Sequence, residues 1–350
     1  MITVLYPVAF GIVDIEDEYN WIWFLRHLRI ILKEGRGIVF VSDRHKGLLE
    51  AVANVFPGHP HSFCTIHIKA NLKTKLSGKP AKVKESILKK FDQVAYSYTV
   101  ERFQRKYEEL KNSVGVEVAK WLDTLRPEHY SHAYFPGKRY EEMTSNTAEL
   151  LNSKYAKIRQ LPVYGLVDGI RTFLMNDMTD KREASLKWKG LFTPNISDKI
   201  KAGMEFGLSW IVHKSSEGVY EVRAKKTVSV DLNLKTCVCN AWQTNSFPCA
   251  HAFAAIHRSN QELHKFIDPY YHNEMNIKAY ALPVIPIDTI DMPLANPDDL
   301  KVLPPQCKRQ PDRPKRKRAE GASDTKRQYQ CGRCKGFGHN KKGCAEEAQD

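Results

Sequence analysis

No run of apolar residues in this chain approaches the roughly 18–20 that a membrane-spanning helix needs, so no membrane partner is expected. Cysteine is sparse, 8 in 350 residues, whereas a secreted disulfide scaffold would be shorter and richer in it. The stretch Met1 to Phe10 is apolar but lacks a basic start, so no secretory signal is expected. Acidic residues are in short supply, 40 against 54 Lys and Arg, which leaves a formal charge of +14. That excess points to a polyanionic partner and leaves the fold open. Hydrophobic residues at 42% and aromatics at 10% are enough for real cores and exclude a wholly disordered chain. The length suits two folded units and a tail.

The charge is uneven. Lys308 to Lys342 holds 13 basic residues and only three acids, Asp312, Glu320 and Asp324, for a net +10. Such a segment gains from a phosphate lattice by releasing counterions.

Six of the eight cysteines fall into two tight clusters, each with a histidine, which is metal spacing in a reducing compartment. The first is Cys237-Val-Cys239, then Cys249-Ala-His251, with the strand-like run from Val228 leading in and a helix start at Ala250 following. Three sulfurs and one nitrogen fill a closed structural Zn²⁺ site. The pattern resembles the SWIM-type zinc finger, with similar order and flanks from Tyr220 to Ile256. The second is Cys331-x2-Cys334-x4-His339-x4-Cys344, with glycines for tight turns around one ion. It resembles the CCHC zinc knuckle, which implies single-stranded nucleic acid as ligand, Phe337 as a stacking ring and Arg333 and Lys335 near phosphates. Two Zn²⁺ sites are therefore expected. Cys307 has no partner pattern.

The body before the fingers alternates. Val8 to Ile15 reads as a buried strand, residues 19–33 as a helix, and Ile38 to Val41 as a second buried strand ending at Asp43. A helix over Lys46 to Phe56 and a third short strand over Ser62 to Ile66 complete an α/β layer. From Lys82 to Leu125 apolar residues recur three or four apart, as in amphipathic helices. Further helices are expected from near Ser145, with Glu149 inside, and over Val163 to Met175 after Pro162.

An acid after a strand and another on a distant helix suit two-metal phosphoryl chemistry, for which Asp43 and Glu149 are the candidates. By itself Asp43 reads sooner as a cap for the following helix than as a catalytic acid. Together, Tyr6-Pro-Val-Ala-Phe-Gly-Ile-Val-Asp, Trp21-Ile-Trp-Phe-Leu, Val41-Ser-Asp-Arg-His-Lys-Gly-Leu, Cys64-Thr-Ile-His67 and Thr144-Ser-Asn-Thr-Ala-Glu-Leu-Leu-Asn152 resemble the plant Mutator-like element transposases, which carry a SWIM-type finger and a CCHC knuckle in the same order. The resemblance implies an incomplete RNase H-like core with a helical insertion, Asp43 as the second catalytic acid, Glu149 as the third, and Mg²⁺ or Mn²⁺ where the centre is active. It places the first acid on a strand before Tyr6, so this form is expected to bind rather than to cleave. Asp14 reads as structural. Cys64 and His67 match the family's C-x2-H pair, and since two ligands do not make a zinc site, a structural or DNA-contact role is expected.

The expected order is a partial transposase domain over 1–180 with its insertion at about 82–140, a SWIM region over 181–265, a linker over 266–307, a basic segment over 308–328 and the knuckle over 329–346. Arg309 to Arg318 resembles an AT-hook within a nuclear import signal. Asp312 stands where the hook needs glycine, which weakens minor-groove reading. Arg313, Lys315, Arg316, Lys317 and Arg318 remain as import signal or phosphate clamp. The expected function is a zinc- and DNA-binding protein of the nucleus; an active transposase and a transcription regulator like the far-red-response family are the alternatives.

Overall fold

The structure is a computed structural model that describes residues 6–32, 35, 37–288, 331 and 334. Among them it is mixed α/β, rich in helices and with two small sheets. Two compact units are distinguished: residues up to 152 with 175–288, and residues 153–174 with Cys331 and Cys334.

The first unit opens with α1 (Glu18–Ile31), whose start is set by Asp17: its carboxylate accepts the Asn20 amide at 2.8 Å. β1 (Phe40–Ser42), α2 (Lys46–Val55) and β2 (His61–Phe63) follow as a βαβ step, with β1 and β2 parallel and Val41 opposite Ser62. Leu25 of α1 packs with Ala51, Val52 and Val55 of α2 in a small core. The segment from Val8 to Ile15, expected as a buried strand, is not one. It has no regular structure, and Val8, Phe10, Ile12, Val13 and Ile15 are all 42–54% exposed. A strand is held by backbone bonds to a neighbour, and no described segment pairs with this one.

α3 (Thr65–Lys75) starts directly after β2, where a longer strand was expected. α4 (Ala81–Ala95), α5 (Val100–Lys111) and α6 (Val116–Asp123) form the helical stretch that the apolar periodicity foretells. Ile68, Leu72, Ile87, Phe91, Phe103, Leu110 and Leu122 are buried together as its core. A fully buried side chain such as Phe91 contributes about 2–3 kcal/mol. α7 (Asn146–Lys154) and α8 (Val163–Lys187) follow, the latter twelve residues longer than the apolar pattern suggests. In the second unit the Tyr155 and Phe173 rings meet edge-on at 5.1 Å.

Beyond α8 come α9 (Pro194–Leu208) and an antiparallel sheet of β3 (Ile211–Ser216), β4 (Val219–Arg223), β5 (Thr227–Asp231) and β6 (Thr236–Cys237), in that order. Alternation along β4 buries Tyr220 and Val222, and Val230 of β5 lies opposite Tyr220. α10 (Ala241–Asn245), α11 (Ala250–Ser259) and α12 (Asn273–Ala279) close the described chain up to residue 288. α11 covers the sheet with Ala252, Ala255 and Ile256, and packs Phe253 against Ile196 and Ile200 of α9.

The sheet region and the helical stretch are bonded to each other. The Arg139 amide donates to the Thr244 carbonyl at 2.7 Å, and the Glu141 amide to Asn245 Oδ1 at 3.2 Å. The Arg139 side chain is buried. It donates to Ser62 Oγ and the Ser131 carbonyl and lies 3.8 Å from the Phe135 ring; burial lowers its pKa to about 9.

Candidate metal centres

The strand β6 ends at Cys237, and the chain then turns through Asn240, whose φ of 62° lies in the left-handed region that Asn tolerates. That turn lets the Asn240 amide donate back to the Cys237 carbonyl at 2.8 Å and keeps Cys239 beside Cys237. Gln243 clips the same strand end: its Oε1 accepts the Cys237 amide at 3.1 Å and its Nε2 donates to the Cys237 carbonyl at 2.9 Å. Cys249 caps α11 and His251 sits in the helix's first turn. The four ligand atoms of Cys237, Cys239, Cys249 and His251 all lie within 4.8 Å of one another. His251 Nδ1 is 3.8 Å from the Cys237 sulfur and 3.9 Å from that of Cys249. The Trp210 ring stacks on the imidazole at 4.9 Å and fixes its plane.

The thiols are electrostatically bound to each other. Cys239 is held well below the usual thiol range by hydrogen bonds from the Cys237 and Cys249 thiols. The bond to Cys239 pushes Cys237 up to about 12, and the bonds to Cys237 and then Cys239 raise Cys249, because a donor must keep its proton.

A second group gathers around the start of α3. Cys64, His67 and Glu149 bring a sulfur, a ring nitrogen and a carboxylate oxygen within 4.8 Å of one another. Asp43, just after β1, accepts the His45 amide on Oδ1 at 3.1 Å. It does not cap α2, whose N-cap is His45.

Residues 8–164 match the family model described as the Mutator family of transposases, and residues 220–260 match that of the SWIM zinc finger. The chain is therefore similar to a Mutator-family transposase over the first of these segments and to a SWIM zinc finger over the second. No curated protein and no solved structure matches the chain.

The SWIM finger's four residues fit a structural zinc ion. Zinc–sulfur and zinc–nitrogen bonds at the tetrahedral angle place S and N about 3.6 Å apart. The two separations found here lie close to that value. In the transposase region the acids are placed differently from an oxygen-only centre. Glu149 lies in the first turn of α7 and takes the Ser145 hydroxyl at 2.9 Å, with His67 Nδ1 at 3.7 Å. Among the described residues no set of three carboxylates comes together, so the oxygen set that Mg²⁺ or Mn²⁺ prefers is not assembled there.

Of the residues expected to form a knuckle, Cys331 and Cys334 are described and buried. His339, Cys344, Arg333, Lys335 and Phe337 lie outside the described residues, as do Arg313, Lys315, Arg316, Lys317 and Arg318. Two features escape sequence reasoning. Glu149 joins Cys64 and His67 across more than 80 positions of chain, which no local spacing announces. The α3–α4 hairpin exposes Lys73, Lys79 and Lys82, and its basic residues outnumber its acids, a signal that a regional charge count would find.

Proposed function

We propose that this chain is a zinc-stabilised DNA-binding protein of the transposase family, working on DNA in the nucleus. The observation that carries the reading is the transposase match followed by a four-ligand Cys and His cluster in a SWIM finger. Zinc holds the finger, and the exposed lysines of the α3–α4 hairpin, Lys73, Lys79 and Lys82, meet phosphates. The basic segment with Arg313 and Lys315 to Arg318 adds charge and an import signal, and the Cys331, Cys334, His339 and Cys344 knuckle takes a second zinc ion and single-stranded nucleic acid. Asp43 and Glu149 are remnants of the ancestral acid set within an RNase H-like core.

One observation favours binding over strand cleavage: among the described residues no three carboxylates come together, so the acid set of two-metal cleavage is not assembled there. The test is binding of the full chain to duplex DNA across a salt series. Replacing Lys73, Lys79 and Lys82 with Glu should weaken binding and flatten the log–log salt slope by about 2–3. An unchanged slope removes the hairpin from the interface. Mg²⁺-dependent cleavage of duplex DNA that vanishes in Asp43→Asn would replace the binding reading with an active transposase.

A further inference from the structure

The second ligand group belongs to neither zinc motif of the sequence. We propose that Cys64, His67 and Glu149 bind one divalent transition-metal ion of the zinc class where β2, α3 and α7 meet. The inference does not depend on DNA binding.

Geometry is the first support. His67 Nδ1 and Glu149 Oε1 are 3.7 Å apart, and all three ligand atoms lie within 4.8 Å. Zinc bonds to nitrogen and oxygen at the tetrahedral angle span about 3.4 Å. The group is therefore nearly as closed as the SWIM cluster, whose sulfur–nitrogen separations are 3.8 and 3.9 Å.

An orphaned atom is the second. His67 Nδ1 is inaccessible to solvent yet has no hydrogen-bond partner. It lies between a thiol and a carboxylate, and a buried polar atom without a partner costs roughly 1–3 kcal/mol. A cation shared by the three groups removes that cost.

The surroundings are those of an outer ligand shell. The Ser145 amide donates to the Cys64 sulfur at 3.2 Å, and the Ser145 hydroxyl donates to Glu149 Oε1 at 2.9 Å. One residue thus orients two ligands, as outer-shell partners of metal ligands do. The loop carrying Ser145 is itself pinned: the Thr65 amide and hydroxyl both donate to the Met143 carbonyl at 3.0 Å. The Cys64 amide donates to the Ser42 carbonyl at 2.7 Å, which anchors the ligand to the strand end.

The donor set selects the ion. A sulfur, an imidazole nitrogen and one carboxylate suit Zn²⁺ or Co²⁺, whereas Mg²⁺ and Ca²⁺ take oxygens. Three protein ligands leave the fourth tetrahedral position for an exchangeable oxygen. The His67 and Glu149 side chains are 41% and 46% exposed, so that position opens to solvent.

The test is metal content of the full chain after dialysis against buffered zinc. The His67→Ala chain, altered at a half-exposed position, should fold as the parent does and hold one equivalent fewer. Glu149→Gln should keep the equivalent but bind it roughly 10–100-fold more weakly. Titrated with Co²⁺, the parent should show a thiolate-to-metal charge-transfer band larger than that of His67→Ala. A His67→Ala chain that folds and holds as many equivalents as the parent, with the same cobalt spectrum, overturns the proposal.

Discussion

The side-chain amide of Asn245 donates to the phenolic oxygen of Tyr98 at 2.9 Å, joining the SWIM finger to the helical stretch across 147 positions of chain. Asn240 adds a bond to the Tyr98 carbonyl at 3.0 Å. The Tyr98 ring in turn stacks on His132 at 4.5 Å with an interplanar angle of 7°. Finger and helices therefore share one bonded seam.

Tyr98→Phe deletes the acceptor and leaves the buried Asn245 amide with a lost bond. The cost should be about 1–2 kcal/mol in denaturant unfolding. In a double-mutant cycle with Asn245→Ala, most of that loss should disappear, since the second substitution removes the stranded donor. Additive losses would mean that the bond carries no coupling.

Zinc removal should be felt on both sides of the seam. Cys237 is part of the finger's core with Val222, Val230 and Trp242. A strong chelator, or Cys237→Ser, should unfold β3–β6 and expose Trp242, shifting its emission to the red. Amide exchange should also rise at Arg139 and Glu141, whose backbone amides bond to Thr244 and Asn245. Because thiols must lose protons to ligate, apparent zinc affinity should fall as pH is lowered.

Acid sensitivity has an identifiable source. Burial and the nearby Arg139 charge lower the His132 pKa to about 3, and burial with His129 lowers that of His61 to about 4. Both are neutral in the fold, while the unfolded chain protonates them near 6.5. Nothing is lost above pH 6.5. Below it the unfolded state binds protons that the fold refuses, so stability declines from pH 6.5 down to about 4 for His61 and about 3 for His132. At pH 4 the His132 share is on the order of 3 kcal/mol. His132→Phe should flatten the decline in thermal melts run from pH 7 to pH 4. A melt series as steep as the parent's would place the acid sensitivity elsewhere.

Glycine to alanine in a helix ordinarily stabilises by up to about 1 kcal/mol. In α9 the sign should reverse. A Cβ on Gly203 would lie 2.5 Å from the Phe253 ring, and one on Gly207 would lie 2.8 Å from the Ala250 carbonyl oxygen. Overpacking of this kind costs about 1–3 kcal/mol. Gly207→Ala should lose more than Gly203→Ala, since a helix backbone yields less than a ring. A higher melting temperature for Gly207→Ala would show that α9 can shift from α11.

What could be read from the chain alone was what neighbours in sequence determine. Cys237 and Cys239, then Cys249 and His251, announce themselves because each ligand pair is local and only one turn and one helix start are needed to bring them together. α4 and α5 are legible for the same reason: a buried face repeats every three or four residues. Val8 to Ile15 carries the apolar content of a strand, but a strand exists only where another backbone accepts its bonds, and pairing is not encoded in the segment. Glu149 was readable as an acid on a helix and, by resemblance, as a catalytic acid, but not as a neighbour of a thiol and an imidazole. Its place beside Cys64 and His67 was decided by the Thr65 and Ser145 contacts that fold residues 143–149 onto the start of α3. Such contacts link positions far apart in the chain, and no periodicity or spacing records them.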